Sequence, residues 1–254
     1  MRADLELAER AALRAGEVLL TYFGRPAEGL EQKSSRNDPV SDADREAERA
    51  IVDLLAAERP DDGLLAEEGS GRESSNGRRW IVDPLDGTVN FLYGIPFWNV
   101  SIALEDPEGM AVGVVHDPNR GETFRAVRGG GAELNGSPLR VRSPRPLDRA
   151  LVGTGFGYDR ERRAAQGDVI ARLLPQVRDI RRTGAAALDL CWLAAGRLDG
   201  YFEHGLSPWD WAAGRLMAEE AGGTVVELPG DPPGLAVAST PELAATLAGI
   251  AGRL

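Results

Sequence analysis

The stretch Trp80–Phe91, WIVDPLDGTVNF, restricts the fold more than any other part of the chain. Trp80, Ile81 and Val82 read as a buried strand. Asp83 and Asp86 follow with Pro84 between them, and Gly87 and Thr88 then open a short helix. A carboxylate at the end of an apolar strand is costly to desolvate unless something pairs with it. Pro84 opposes simple continuation of the strand and stiffens the turn that aims both side chains. Two carboxylates converging on one point raise each other's pKa unless a cation lies between them. Oxygen donors without His or Cys suit a hard cation, Mg²⁺ or Mn²⁺. A helix start also attracts anions. Metal beside phosphate points to hydrolysis of a phosphate ester, with cations clamping the attacking and leaving oxygens.

Other acids fall at the ends of expected elements: Asp38 and Asp44 in NDPVSDAD, Glu67 and Glu68 in AEEGS, and Asp210 in SPWDWAAG. Taken singly, Asp44 and Asp210 are explained equally well as helix caps or macrodipole partners, and Glu67-Glu68 as a solvated turn.

The hydrophobic pattern predicts an amphipathic helix over 3–23, ended by Gly24-Arg25-Pro26, then a polar loop over 25–40. Ser41 reads as the N-cap of a second helix that stops at Pro60. Residues 97–105, 111–116 and 121–127 predict an antiparallel meander, followed by a turn-rich hairpin in GGGAELNGSPL. Beyond SPRPLD the pattern alternates. Strands at 151–155, 178–182 and 198–203 each precede a helix, at 159–174, 185–196 and 208–221. Strands near 224–227 and 235–239 precede a last helix over 241–253. The expectation is an α+β half over 1–145, with most of the acids, and an α/β half over 146–254, with Asp210, in one compact catalytic unit.

The net charge of −11, from 40 acids and 29 bases, opposes contact with nucleic acid or anionic lipid. A phosphate substrate would then be drawn in by bound cations. Cys191 is the single cysteine, so no internal disulfide forms, which fits a cytoplasmic location. The N-terminus has no apolar signal core and no apolar run approaches a membrane span. Lys33 is the one lysine among the 29 bases.

DPLDGTVNF and PWDWAAGRLMAEEAGG resemble the two signatures of the inositol monophosphatase family, in that order. KSSRNDPVSDAD, LAEEGS and RRTGAAALDLCWLAAGRLDGYFEHG match further segments of it. The resemblance covers nearly the whole chain and implies a layered α-β-α-β-α sandwich with two or three Mg²⁺ ions, Mn²⁺ being an alternative. It implies that Glu67, Asp83 and the Leu85 carbonyl hold the first metal, and Asp83, Asp86 and Asp210 the second. Thr88 and Asp44 would orient the attacking water beside Glu67. The N–H groups of Gly87 and Thr88 would cradle the phosphate. Gly184, Ala185, Ala186 and Glu203 would hold the alcohol portion, with Lys33 and Asp38 in support. The expected activity is Mg²⁺-dependent hydrolysis of a small polyol phosphate, myo-inositol 1-phosphate first, by in-line attack of metal-activated water. The chain departs from the family at Ala66, where Gly is frequent, and in the apolar TGAAA of its alcohol-binding segment. Histidinol phosphate, fructose 1,6-bisphosphate, NADP and nucleotide 3′-phosphates are rival substrates. Glu203 favours a polyol over a nucleotide, and no aromatic slot for a base is evident in the sequence. A different class is a protein-binding role in the transcription machinery, and a homodimer is the family's expectation.

Overall fold

The computed structural model describes residues 1–24, 31–32, 39–40, 42–231 and 233–252. Lys33, Asp38 and the cap Ser41 lie outside the described residues, as does most of the loop expected over 25–40. In chain order the first elements are α1 (Arg2–Tyr22), β1 (Glu31–Gln32), β2 (Pro39–Val40), α2 (Asp42–Glu58), β3 (Gly63–Ala66), β4 (Gly71–Arg72) and β5 (Arg79–Asp86). Next come α3 (Thr88–Leu92), β6 (Asn99–Asp106), β7 (Gly109–Asp117), β8 (Glu122–Val127), β9 (Gly131–Leu134) and β10 (Ser137–Pro138). The remainder comprises β11 (Leu151–Thr154), α4 (Arg160–Leu173), β12 (Asp179–Arg181), α5 (Ala186–Ala194), β13 (Gly200–His204), α6 (Pro208–Glu220), β14 (Thr224–Leu228), β15 (Gly234–Ala238) and α7 (Pro241–Ala251).

Eight strands form one sheet in the order β10-β9-β8-β7-β6-β5-β3-β4, and five form another in the order β12-β11-β13-β15-β14. The meander is β6, β7 and β8, paired antiparallel in sequence. Period-two alternation sends neighbouring side chains of each central strand into different cores. Trp80 and Val82 of β5 join α1 and α2 on one face of the large sheet, while Ile81 joins α5 and α6 on the other. In the small sheet Tyr201 packs toward α5 and α6, and Phe202 toward α4 and α7. The layers therefore run α1/α2, large sheet, α5/α6, small sheet, α4/α7, which is the expected α-β-α-β-α sandwich. Trp80 is fully buried and its indole N–H donates to Asp62 at 3.0 Å. Truncating that ring to Ala would cost about 3–5 kcal/mol.

The strand containing Pro84 does not stop at Asp83. It runs on to Asp86 through a register shift against β6 between those two aspartates. The shift leaves Pro84 without a ladder partner in β6, which suits a residue with no N–H to donate. Strands β3, β5, β11, β12 and β13 all end on one side of the molecule, where their following turns bound a shared cavity. Ligand sites of α/β sheets form at such carboxyl ends.

Candidate active site

That cavity has a volume of about 450 Å³. One wall comes from the turn after β3 and from the end of β5, and carries Glu67, Asp83, Leu85, Asp86, Gly87 and Thr88. Asp210, from the first turn of α6, adjoins it. The opposite wall comes from the segments after β11 and β12 and from the end of β13. It carries Gly184, Ala185, Ala186 and Glu203. The cavity thus joins sequence-predicted residues that lie more than a hundred positions apart.

Backbone hydrogen bonds fix the acid wall. Glu67 N–H donates to the Val82 carbonyl at 3.2 Å, tying its turn to the strand just before Asp83. Glu48 of α2 holds the next part of that turn, its carboxylate accepting from Glu68 N–H at 2.8 Å and Ser70 N–H at 3.2 Å. Asp83 Oδ1 accepts from Leu85 N–H at 3.0 Å, and the Thr88 hydroxyl donates to the Leu85 carbonyl at 3.0 Å. Gly87 adopts φ 93°, and a Cβ there would stand 3.0 Å from the Phe97 carbonyl. Any larger residue would be strained and crowded at once.

Asp86 accepts three hydrogen bonds, from Asn99 Nδ2 at 2.8 Å, Ala187 N–H at 2.9 Å and Ala186 N–H at 3.2 Å. It therefore satisfies the first amides of α5. Asp210 Oδ2 accepts from Ser207 N–H at 2.6 Å, so it serves its own helix start while lining the cavity.

Burial raises the Asp83 carboxyl well above its ordinary range, and the negative charges of Glu67, Asp86, Asp210 and Asp44 add to the rise. Burial and the charges of Asp86 and Glu67 do the same to Asp210. Asp86 is pushed up to about 6 by burial, against the lowering effect of its three donors. Asp44 is fully buried beside these groups but stands behind the cavity wall. The donor set, carboxylates with a backbone carbonyl and no His or Cys, fits a hard cation, which would relieve that mutual repulsion. Among the described residues, no three His, Cys, Asp or Glu side chains form a ready-made ligand shell. The chemistry of the wall suits Mg²⁺, while its carboxylates are held where their own N–H donors put them.

Several residues here escape sequence reasoning. Glu48 had one signal: it lies four residues after Asp44, on the same face of α2, and both are buried. Asn90 pins the far wall by donating to the carbonyls of Phe97 and Thr183, each at 2.8 Å. Asp189, buried in α5, bonds the Thr183 hydroxyl, and Tyr201 O–H donates to Glu203. Phe156 and Tyr158 line the cavity, so aromatic surface is present where the sequence suggested none. His204 turns away, its Nε2 bonded to the Ala251 carbonyl at 2.9 Å. Cys191 is buried in the core, and Trp209 lines the cavity. No helix among the described residues is long and apolar enough to cross a membrane.

The sequence model of the inositol monophosphatase family matches residues 1–253. The chain is 42% identical over 232 residues to a protein of Pasteurella multocida named Nus factor SuhB, covering 91% of this chain and 87% of that one. It is 43% identical to the inositol-1-monophosphatase of Mycobacterium leprae, covering 95% of this chain and 88% of the relative. The crystal structure of the extragenic suppressor protein suhB from Bartonella henselae superposes with a TM-score of 0.91 at 37% identity, covering 99% of both chains.

Proposed function

The chain belongs to the inositol monophosphatase family, and from that premise we propose that it hydrolyses a small polyol phosphate monoester with Mg²⁺, myo-inositol 1-phosphate first among candidates. The observation that carries this reading is the meeting of Glu67, Asp83, Asp86 and Asp210 with Gly87 and Thr88 around one cavity. Glu67, Asp83, the Leu85 carbonyl, Asp86 and Asp210 would hold Mg²⁺. Bound there, the ions would neutralise the carboxylates, attract the phosphate and acidify water.

The chain's own groups do the rest. Gly87 and Thr88 N–H groups receive the phosphate oxygens. The Thr88 hydroxyl is oriented by its bond to the Leu85 carbonyl, so its oxygen is aimed to accept from the attacking water. Asp44 and Glu67 complete that orientation and with Thr88 accept the proton of the water; its oxygen bonds phosphorus as the ester P–O bond breaks, and a water beside Asp210 protonates the leaving oxygen. The alcohol portion then lies against Gly184, Ala185 and Ala186. Glu203, half-buried and supported by Tyr201, hydrogen-bonds its hydroxyls. Positioning and charge neutralisation supply most of the rate, as in other phosphoryl transfers.

The test is phosphate release from inositol 1-phosphate, histidinol phosphate, fructose 1,6-bisphosphate and nucleotide phosphates. Chelation is expected to abolish it and Mg²⁺ to restore it. Release that is indifferent to Mg²⁺, or absent with every substrate, would sink the reading. A second reading, a protein-binding role in the transcription machinery, is favoured by the identity to the Pasteurella multocida relative. Its test is capture of transcription proteins from lysate by an inactive Asp83→Asn chain, and loss of binding to a purified partner would exclude it.

A further inference from the structure

Beyond the residues that touch the phosphate, two arginines stand on the cavity lining. Arg162 projects from the first turn of α4, and Arg182 follows β12. Each lies across a glycine of the lining. A Cβ on Gly205 would overlap the Arg162 guanidinium, and a Cβ on Gly184 would stand 2.6 Å from Arg182 Nη1. Both glycines have positive φ, 80° and 95°. The wall is thus hollowed where the two guanidinium groups rest.

The pairing of these cations differs from that of arginines elsewhere in the fold. Arg120, Arg125, Arg128 and Arg197 each form an ion pair with an aspartate or glutamate. Among the described residues, Arg162 and Arg182 form none within ion-pair distance. Arg162 donates one side-chain bond, to the Asp231 carbonyl at 3.3 Å. Arg182 lies 5.9 Å from the centroid of the Phe156 ring. The acids of the same wall are engaged elsewhere. Asp159 caps α4 through Arg162 N–H at 2.9 Å, Asp189 bonds Thr183, and Glu203 bonds Tyr201. All three line the same cavity, and the positive charge of Arg182 opposes the rise that burial imposes on Glu203 and Asp189.

The lining connects these arginines to the reacting end by two short paths. From Gly87, whose Cβ would lie 3.3 Å from Ala185 Cβ, the wall passes through Gly184 to Arg182. From Asp210 it passes through Ser207 and Gly205 to Arg162. A phosphate ester held at Gly87 and Thr88 would lie on a lining that leads to two guanidinium groups without a carboxylate partner among the described residues. Guanidinium forks bind phosphate and carboxylate in paired, charge-assisted hydrogen bonds.

We propose that Arg162 and Arg182 form a specificity site for a second anionic group, a phosphate or a carboxylate, on the alcohol portion of the substrate. The proposal rests on the phosphatase reading of the cavity and refines its substrate class: polyol monophosphates are accepted, and phosphate esters bearing a further anion are preferred.

The experiment compares matched pairs with the full chain in Mg²⁺. Fructose 1,6-bisphosphate is set against fructose 1-phosphate for a second phosphate, and 2-phosphoglycerate against glycerol 2-phosphate for a carboxylate. The expected kcat/KM ratio is about tenfold or more in favour of the member bearing the second anionic group, in at least one pair. The pair that shows it identifies the anion. In Arg162→Gln and Arg182→Gln that ratio falls toward one, while Arg162→Lys keeps part of it. A ratio near one in both pairs, or a ratio unchanged by both Gln substitutions, overturns the proposal. Absence of turnover with every substrate would instead defeat the phosphatase reading. Calorimetric titration with non-hydrolysable phosphonate analogues of the same pairs then still decides between a tenfold preference and none.

Discussion

The two walls of the cavity are built on different principles. The acid wall carries its chemistry in side chains, three aspartates and a glutamate, aimed by a bulged strand and its neighbouring turns. The far wall obtains its shape from missing side chains. Gly155, Gly184 and Gly205 leave the room into which Glu203, Arg182 and Arg162 extend. On the proposed function, one wall fixes which reaction occurs and the other which molecule undergoes it. A fold that separates these tasks can alter its substrate by changing small residues without touching the reaction.

The sharpest way to break this comparison is Asp83→Asn. It is expected to lower kcat by about a thousandfold or more at every Mg²⁺ concentration, with circular dichroism unchanged. Near-normal turnover would show that the acid wall does not carry the reaction. Asp86→Ala comes next, because it strands the N–H groups of Ala186, Ala187 and Asn99. Urea unfolding should show a loss of about 3 kcal/mol together with the loss of activity. Gly155→Ala probes the other wall. A Cβ there would collide with the Glu203 carboxyl, so KM for a polyol phosphate should rise about tenfold with a smaller change in kcat. If kcat fell as far as in Asp83→Asn, the division of labour would be wrong.

The smallest effect concerns His116, which lines neither wall and bonds Thr123 Oγ1 at 3.0 Å. Burial lowers its pKa below 6.5. The unfolded chain therefore takes up this proton first, and stability falls as pH drops below 6.5 toward the lower folded value. Urea unfolding at pH 7.0 and 5.5 should show a smaller pH dependence in His116→Gln than in the parent. An equal dependence in both would remove His116 as its source.

The acid wall was legible because its signals are local. Asp83, Asp86, Gly87 and Thr88 sit within six residues, and Pro84 marks the break in the ladder. The alternating half was legible too, since Gly and Pro punctuate it and its strands and helices keep distinct periods. The far wall was legible only in part: the family resemblance named Gly184, Ala185, Ala186 and Glu203 but not the arginines beside them. Arg162 and Arg182 lie on different elements and meet at one cavity only through the small sheet, and nothing in GFGYDRERR distinguishes Arg162 from Arg160 or Arg163. Asn99 is equally silent, because its role depends on the register of β6 against β5. The extension of β5 past Pro84 was hidden for the same reason: a bulge is a property of two strands, and one strand's sequence cannot state it.

The bonds from Asp86 to Ala186 and Ala187 join positions a hundred residues apart, so one carboxylate both faces the cavity and fastens α5 to the large sheet. On the proposed function, selection acts on this position through two independent requirements. A library of variants sorted for heat resistance alone, with no phosphate ester ever supplied, should still retain the aspartate. Descendants that had abandoned the reaction would carry it forward as a fastening and continue to look like enzymes.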